Sequence, residues 1–235
     1  MTGRAGQNAP MSPASGIVIV FSRPSDFGQE ADWSAWYEGT HIPRATAVSG
    51  AAAATRWEHV ERPHGASPAV GFTHVTVYEL DDLAAGAPPL LDLLDPPAGE
   101  RTRHPVDMIV GVEVLAPAGA RWHGRAVGDE VTGQVIAFVG PNDPAREDEW
   151  NMWLDDVHVP DMVGSGAFAT ATRWVRAERA RFGPNYLTIY DVTLPDIEQA
   201  VALSGAAMGP ARERGRLRPY HAGGMRAALR RAEAR

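Results

Sequence analysis

Two histidines are placed to do acid–base chemistry, because each follows a carboxylate by three residues. His41 follows Glu38, and His158 follows Asp155. Residues three apart are neighbours on a helix, so each carboxylate could hydrogen bond its imidazole. Such a bond fixes the tautomer and raises the basicity of the ring, as a general base requires. An equally open alternative is that each histidine caps the last carbonyls of its helix.

The two histidine segments are copies of one another. Residues 33–43 and 150–160 share both tryptophans, the histidine and the proline at one offset, 158 − 41 = 117. The same offset carries the Ala-Thr-Arg-Trp run of residues 54–57 onto residues 171–174. Agreement over that distance without a gap indicates a tandem duplication.

The duplication predicts two modules. We expect a disordered lead over residues 1–15, a first module over 16–115, a linker over 116–132 and a second module over 133–230. Each module is large enough to bury a core of its own.

Hydrophobic periodicity predicts the same order of elements in both modules. In the first, strands are predicted at 16–21, 52–61, 71–80 and 108–115, and helices at 30–40 and 81–94. In the second, strands are predicted at 133–139, 168–178, 185–193 and 225–229, and helices at 146–157 and 195–206. Pro43 is expected to end the first helix, because the residue before a proline avoids helical geometry. The order βαββαβ is that of a ferredoxin-like module of the α+β class.

A ferredoxin-like sheet carries helices on one face only, so its other face needs a partner. Two modules in one chain can supply it by packing sheet to sheet and closing a barrel. Each module contains a Trp-x-x-Trp-x-x-x-x-His-x-Pro segment that is followed by Ala-Thr-Arg-Trp. These patterns resemble the EthD-like branch of the dimeric α+β barrel superfamily. The resemblance covers residues 16–115 and 133–230. It implies a fused pseudo-dimer, and further self-association is left open.

Strand alternation predicts which side chains enter the barrel. Apolar faces are expected to meet the helices, and Trp57 and Trp174 with them. The interior would then hold polar and aromatic residues that suit a planar, anionic or phenolic ligand. They are His74, Tyr78, Tyr186, Tyr190, Arg56 and Arg173. The alternative is that the tyrosines fill space and the arginines pair with carboxylates.

Composition excludes several classes of protein. The net charge is −7, so we expect neither nucleic acid nor a membrane surface as a partner. The chain has no cysteine, which removes thiolate chemistry and disulfides. Without an apolar run of about 18 residues or an apolar signal sequence, a soluble cytoplasmic protein is expected.

Metal and nucleotide sites are not predicted. Asp156 and Asp161 would be the additional acidic ligands beside His158, but their counterparts in the first copy are Gly39 and Arg44. No glycine-rich loop joins a strand to a helix, so no nucleotide-binding motif is present. The histidines at 59, 64, 104, 123 and 221 are predicted to be surface residues.

The resemblance implies an enzyme that acts on a small-molecule substrate without an organic cofactor. The reaction would be a decarboxylation, dehydration or cyclisation of an aromatic or polyketide-like compound, that is, a lyase or isomerase. His158 or His41 would move a proton, and Arg173 or Arg56 would hold an oxyanion. Two alternatives stay open: a haem-linked or cofactor-free monooxygenase, and a ligand-binding protein without catalysis.

The two pockets are expected to differ. Asp161 would raise the pKa of His158, whereas Arg44 would lower that of His41. The second copy also retains the EthD-like pattern more closely. The second pocket is therefore predicted to be the active one.

Overall fold

The computed structural model describes residues 14–60, 71–95, 104–125, 128, 130–180, 183–218 and 221–232. Most of the predicted lead, residues 1–13, lies outside this part of the chain. None of the described helices is long and apolar enough to cross a membrane.

Both repeats have the predicted order of strands and helices. The first contains β1 (Gly16–Pro24), α1 (Glu30–Trp36), α2 (Ile42–Ser49), β2 (Ala51–His59), β3 (His74–Leu80), α3 (Leu83–Leu94) and β4 (Asp107–His123). The second contains β5 (Gly133–Pro141), α4 (Glu147–Trp153), α5 (Val159–Gly164), β6 (Thr170–Arg176), β7 (Tyr186–Val192), α6 (Ile197–Glu213) and β8 (His221–Arg231).

The strands form a single closed barrel in the order β1-β3-β2-β8-β5-β7-β6-β4. Neighbouring strands are antiparallel throughout. Two seams join the repeats: β4 pairs with β6, and β8 pairs with β2. Each seam joins the last strand of one repeat to the second strand of the other, as a pseudo-two-fold axis requires. The predicted α+β barrel is confirmed.

Strand β4 is longer than predicted and enters the predicted linker. Beyond Leu115 it pairs with β6, with Ala116 opposite Val175 and Arg121 opposite Thr172. The register shifts between Pro117 and Arg121, which is where a bulge can accept a proline inside a strand. The Ala-Pro-Ala-Gly run therefore belongs to the seam, because barrel closure requires this edge to be paired.

The first helix of each repeat does not end where proline was expected to end it. A π-helical turn covers Tyr37–His41, and α2 continues directly from it with Pro43 in its first turn. The second repeat does the same at Leu154–His158. Proline has no N–H to donate, and the first turn of a helix does not need one. The wider turn also moves the preceding carbonyls, and single π turns are frequent at functional sites.

The middle of the barrel interior is apolar, which corrects the prediction that the polar and aromatic strand faces line it. One core cluster contains side chains of both repeats, namely Ile17, Ile19, Trp57, Val75, Val77, Ile136, Phe138, Leu187, Ile189 and Leu229. Since side chains alternate along a strand, the polar residues between them point outward, under the helices. Tyr78 accordingly packs with Leu90 of α3, and Tyr190 with helix residues of the second repeat.

Two helix glycines provide a test of the packing. A Cβ on Gly86 of α3 would lie 2.6 Å from the Ser49 carbonyl oxygen, whereas one on Gly205 of α6 would meet nothing within 4 Å. Gly86→Ala should therefore lower the free energy of unfolding by about 1–3 kcal/mol. Gly205→Ala should raise it by up to about 1 kcal/mol, because alanine loses less backbone entropy in a helix. Urea unfolding measures both, and effects of the same sign would contradict this packing.

Candidate functional site

A buried arginine joins the sheet to the π-helical turn in each repeat. Arg56 Nη1 donates to the Glu38 carboxylate at 3.3 Å, and Arg173 makes the equivalent ion pair with Asp155. The two arginine side chains are only 3% and 1% exposed. Both carboxylates predicted to pair with histidines thus bind arginines, because a buried guanidinium requires a counter-charge.

Each guanidinium also binds a polar side chain of the preceding helix. Arg56 Nη2 donates to Ser34 Oγ at 3.4 Å, and Arg173 Nη2 donates to Asn151 Oδ1 at 2.6 Å. The Arg173 guanidinium carbon lies 5.5 Å from the centre of the Trp150 ring. Because both guanidinium groups already have these partners, their geometry suits holding the turn against the sheet better than binding a substrate oxyanion.

A cavity of about 230 Å³ lies in the second repeat, between the outer face of the sheet and the helices. Its apolar wall includes Ala137, Val139, Leu154, Met162 and Met208. Its polar wall consists of His158, Thr188, Tyr190, His221 and Arg226. An apolar cavity with a few convergent polar groups is the usual form of a small-molecule site.

His158 is held neutral at physiological pH. Burial, with the nearby His221, lowers its pKa to about 4, and Arg226 acts in the same direction. The prediction that Asp161 raises the pKa of His158 is wrong in its net result, because the pKa is lowered. Asp161 does oppose this lowering. Its carboxylate is bound by Arg216 through contacts of 2.6 Å and 2.8 Å, which neutralises much of its charge.

His221 is part of the same wall, which corrects its prediction as a surface residue. Its ring lies 5.7 Å from that of His158, and both contact Trp153. Trp150 Nε1 donates to His221 Nδ1 at 3.2 Å, so a neutral His221 carries its proton on Nε2. Burial lowers the pKa of His221.

The duplication contained a signal for this histidine. His104 precedes His221 by 117 residues, since 221 − 104 = 117. It lies against Trp36, with ring centres 5.7 Å apart, as His221 lies against Trp153. The repetition of this histidine at the duplication offset indicates that it belongs with His41 and His158.

Two hydroxyl groups line the cavity, those of Thr188 and Tyr190. Thr188 is 1% exposed, and its buried Oγ1 has no partner. Tyr190 is 5% exposed, and burial raises the pKa of its hydroxyl. Buried polar atoms usually have a partner, so a ligand or water is expected here. Tyr186 differs, because it does not line the cavity. Its hydroxyl donates to the Glu147 carboxylate, and the two oxygen atoms are 2.5 Å apart.

The corresponding space of the first repeat is filled by Tyr37. Tyr37 is completely buried, and its ring centre lies 4.5 Å from that of His41. Beside it, Tyr78 is buried too, and burial raises the pKa of Tyr78. The predicted site residues of this repeat are thus packed together, and a cleft of about 20 Å³ borders Arg56 and His74.

Metal ligation finds no support in the described part of the chain, where no group of three or more acidic or histidine residues could hold an ion.

No protein-family model matches this chain, and no curated protein matches it. Solved structures do. A haem-bound variant of DypB from Rhodococcus jostii superposes with a TM-score of 0.61 at 7% identity, covering 98% of this chain and 97% of that one. A cyanide-bound mutant chlorite dismutase from Candidatus Nitrospira defluvii gives 0.57 at 8% identity, covering 95% and 93%. A candidate monooxygenase from Fusobacterium nucleatum gives 0.53 at 12% identity, covering 94% of each. These likenesses establish the dimeric α+β barrel fold.

The lowered pKa of His158 predicts a pH dependence of stability. An unfolded histidine binds its proton near pH 6.5, whereas folded His158 does so only near pH 4. Its contribution to stability is therefore complete above pH 6.5 and is lost as the pH falls from about 6.5 to about 4. His158→Gln should make the free energy of unfolding fall less steeply in this window.

Urea unfolding at several pH values measures that slope. The exposed His123 is the matched control, and His123→Gln should keep the slope of the unsubstituted protein. An unchanged slope in His158→Gln would contradict a neutral, buried His158.

Proposed function

We propose that the chain is a small-molecule enzyme whose active pocket is the second-repeat cavity. The substrate is a compact aromatic or polyketide-like molecule, and His158 accepts a proton from it without an organic cofactor. The reaction class is a decarboxylation, dehydration or cyclisation, and the EthD-like affiliation is part of this proposal. The observation that carries it is a cavity whose wall brings together a neutral imidazole, an unpaired threonine hydroxyl and the Tyr190 hydroxyl.

The charges around the cavity support this assignment. With a pKa of about 4, His158 is unprotonated at neutral pH and can accept a proton, but it is a weak base. The substrate proton must therefore be made acidic by its surroundings. Arg226 borders the cavity and supplies a positive charge that stabilises a developing anion, more strongly so away from water. Thr188 and Tyr190 can donate hydrogen bonds to a substrate oxygen.

The remaining predicted residues receive positioning roles. Asp155 and Arg173 fix the π-helical turn that carries His158. Glu38 and Arg56 do the same for His41, which faces Tyr37 rather than an open cavity. We therefore propose a single active pocket in the second repeat.

A haem-linked activity fits the cavity poorly. One structurally similar protein binds haem, and neutral His158 or His221 has the nitrogen chemistry to ligate iron. However, an engineered cavity of about 150 Å³ holds one benzene ring. A cavity of about 230 Å³ has room for one substituted ring, not for a porphyrin. Protein produced with added haem should show no stoichiometric Soret band, and such a band would favour the haem alternative.

Cofactor-free oxygenation shares the first step of the proposed reaction. The candidate monooxygenase among the similar structures motivates this second function. Removal of a proton from an electron-rich ring by His158 would give a carbanion or phenolate that dioxygen can oxidise. An oxygen electrode separates the two, because a lyase or isomerase consumes no dioxygen. A pure binding protein would turn over nothing.

Substitution of the two repeated histidines tests the assignment of one active pocket. Once a substrate is found among hydroxylated aromatic acids, His158→Ala should lower kcat/KM by about 10²–10⁴-fold, the usual contribution of a general base. His41→Ala should change it little at matched folded fraction. Equal losses would mean two working sites, and no loss in either would remove the proposed base.

The pH profile gives an independent test. His158 must be unprotonated to accept a proton, so kcat/KM should fall as the pH decreases through about 4. An acidic limb centred near the ordinary histidine value of about 6.5 would contradict this environment. The profile should be recorded on protein shown to be folded at each pH.

A further inference from the structure

The position that separates the two pockets is the first residue of the π-helical turn. It is Tyr37 in the first repeat and Leu154 in the second, since 154 − 37 = 117. Both side chains are buried, at 0% and 1% exposure. Leu154 lines the open cavity, whereas Tyr37 fills its counterpart.

The phenol of Tyr37 is held by groups that recur around the open cavity. Thr76 Oγ1 donates to the Tyr37 hydroxyl at 3.4 Å. The neighbouring Tyr78 is buried beside it, and its own hydroxyl has no partner among the described atoms. The Tyr37 ring lies against His41 with ring centres 4.5 Å apart. The first repeat thus shows how this fold accommodates a phenol.

Strand pairing identifies the equivalent groups in the second repeat. Thr76 lies opposite Arg56, and Thr188 lies opposite Arg173, so the two threonines correspond. By the same register Tyr190 corresponds to Tyr78, two residues along each strand. With leucine at position 154, no phenol reaches Thr188, and its Oγ1 has no partner.

We infer that the second-repeat cavity recognises a phenol, which takes the place that the Tyr37 side chain fills in the first repeat. Its hydroxyl would accept a hydrogen bond from Thr188 Oγ1, as the Tyr37 hydroxyl does from Thr76, and its ring would lie beside His158. Leu154 would be the residue that keeps the pocket open and limits its depth. This rests on the proposed function for the reaction, but the binding itself needs no turnover.

Size and charge agree with a single phenolic ring. A cavity of about 230 Å³ exceeds the roughly 150 Å³ that holds benzene. Arg226 on the wall favours the phenolate form of a ligand over its neutral form. Methionines at 162 and 208 provide adaptable contacts to ring edges.

The test compares p-cresol, the tyrosine side chain as a free molecule, with toluene, which lacks only the hydroxyl. Titrations followed by the imidazole NMR signals of His158 and His221 give both dissociation constants. We expect p-cresol to bind at least about tenfold more tightly, because toluene leaves the buried hydroxyls unpaired. Equal affinity, or tighter binding of toluene, would overturn the inference.

Two variants locate the binding. Leu154→Tyr should fill the cavity and abolish binding of both compounds. Thr188→Val, which keeps the side-chain shape, should weaken p-cresol about tenfold and bind toluene at least as tightly as the unsubstituted protein does. Folding of each variant is checked by its methyl NMR spectrum. Undiminished p-cresol binding in folded Leu154→Tyr, or an unaltered hydroxyl preference in Thr188→Val, would each refute the assignment.

The outcomes separate this inference from the proposed function. Selective p-cresol binding in a protein whose His158→Ala variant loses no activity would sustain phenol recognition and refute the proton-transfer role. A substrate without a phenolic hydroxyl that still requires His158 would do the reverse.

Discussion

Closure of the barrel determines which side chains of each strand face the interior and which lie under the helices. The seams β4–β6 and β2–β8 bring two sheets face to face, and their facing sides must fill a common interior. Apolar side chains such as Val77 and Ile189 do so. Because side chains alternate along a strand, Tyr190 and Arg173 are then forced outward under the helices. The helices must therefore supply the counter-charge of Asp155 and the wall that carries His158.

The duplication made much of this predictable. The offset of 117 residues indicated a repeat, hydrophobic periodicity predicted the order of elements, and the unpartnered sheet faces predicted the barrel. It could not predict which strand face lies inside, because Val75 and Tyr78 are both buried on opposite faces of β3. The alternation of side chains shows that a strand has two faces. The sequence identifies the core face only when the opposite face is exposed to solvent and therefore polar. The polar interior was therefore assigned to the wrong side.

Other errors arose from contacts that are distant in the sequence. The pKa of His158 depends on burial and on His221, and Asp161 is bound by Arg216, which is 55 residues away. Neither contact can be read from local spacing. Pro43 was misjudged for a different reason, since a π-helical turn lets the helix continue where local propensity predicts an end. Duplication explains the asymmetry that remains: a homodimer must keep identical pockets, but a fused chain can place tyrosine in one and leucine in the other.

A crystal structure with a bound phenol tests the central claim, that ligand and chemistry belong to the second repeat alone. Crystals of the unsubstituted chain would be grown with p-cresol. The account predicts electron density for one ring beside His158, with its oxygen within hydrogen-bonding distance of Thr188 Oγ1, and none beside His41. A ring bound in the first repeat, or inside the barrel among Val77 and Ile189, would contradict it.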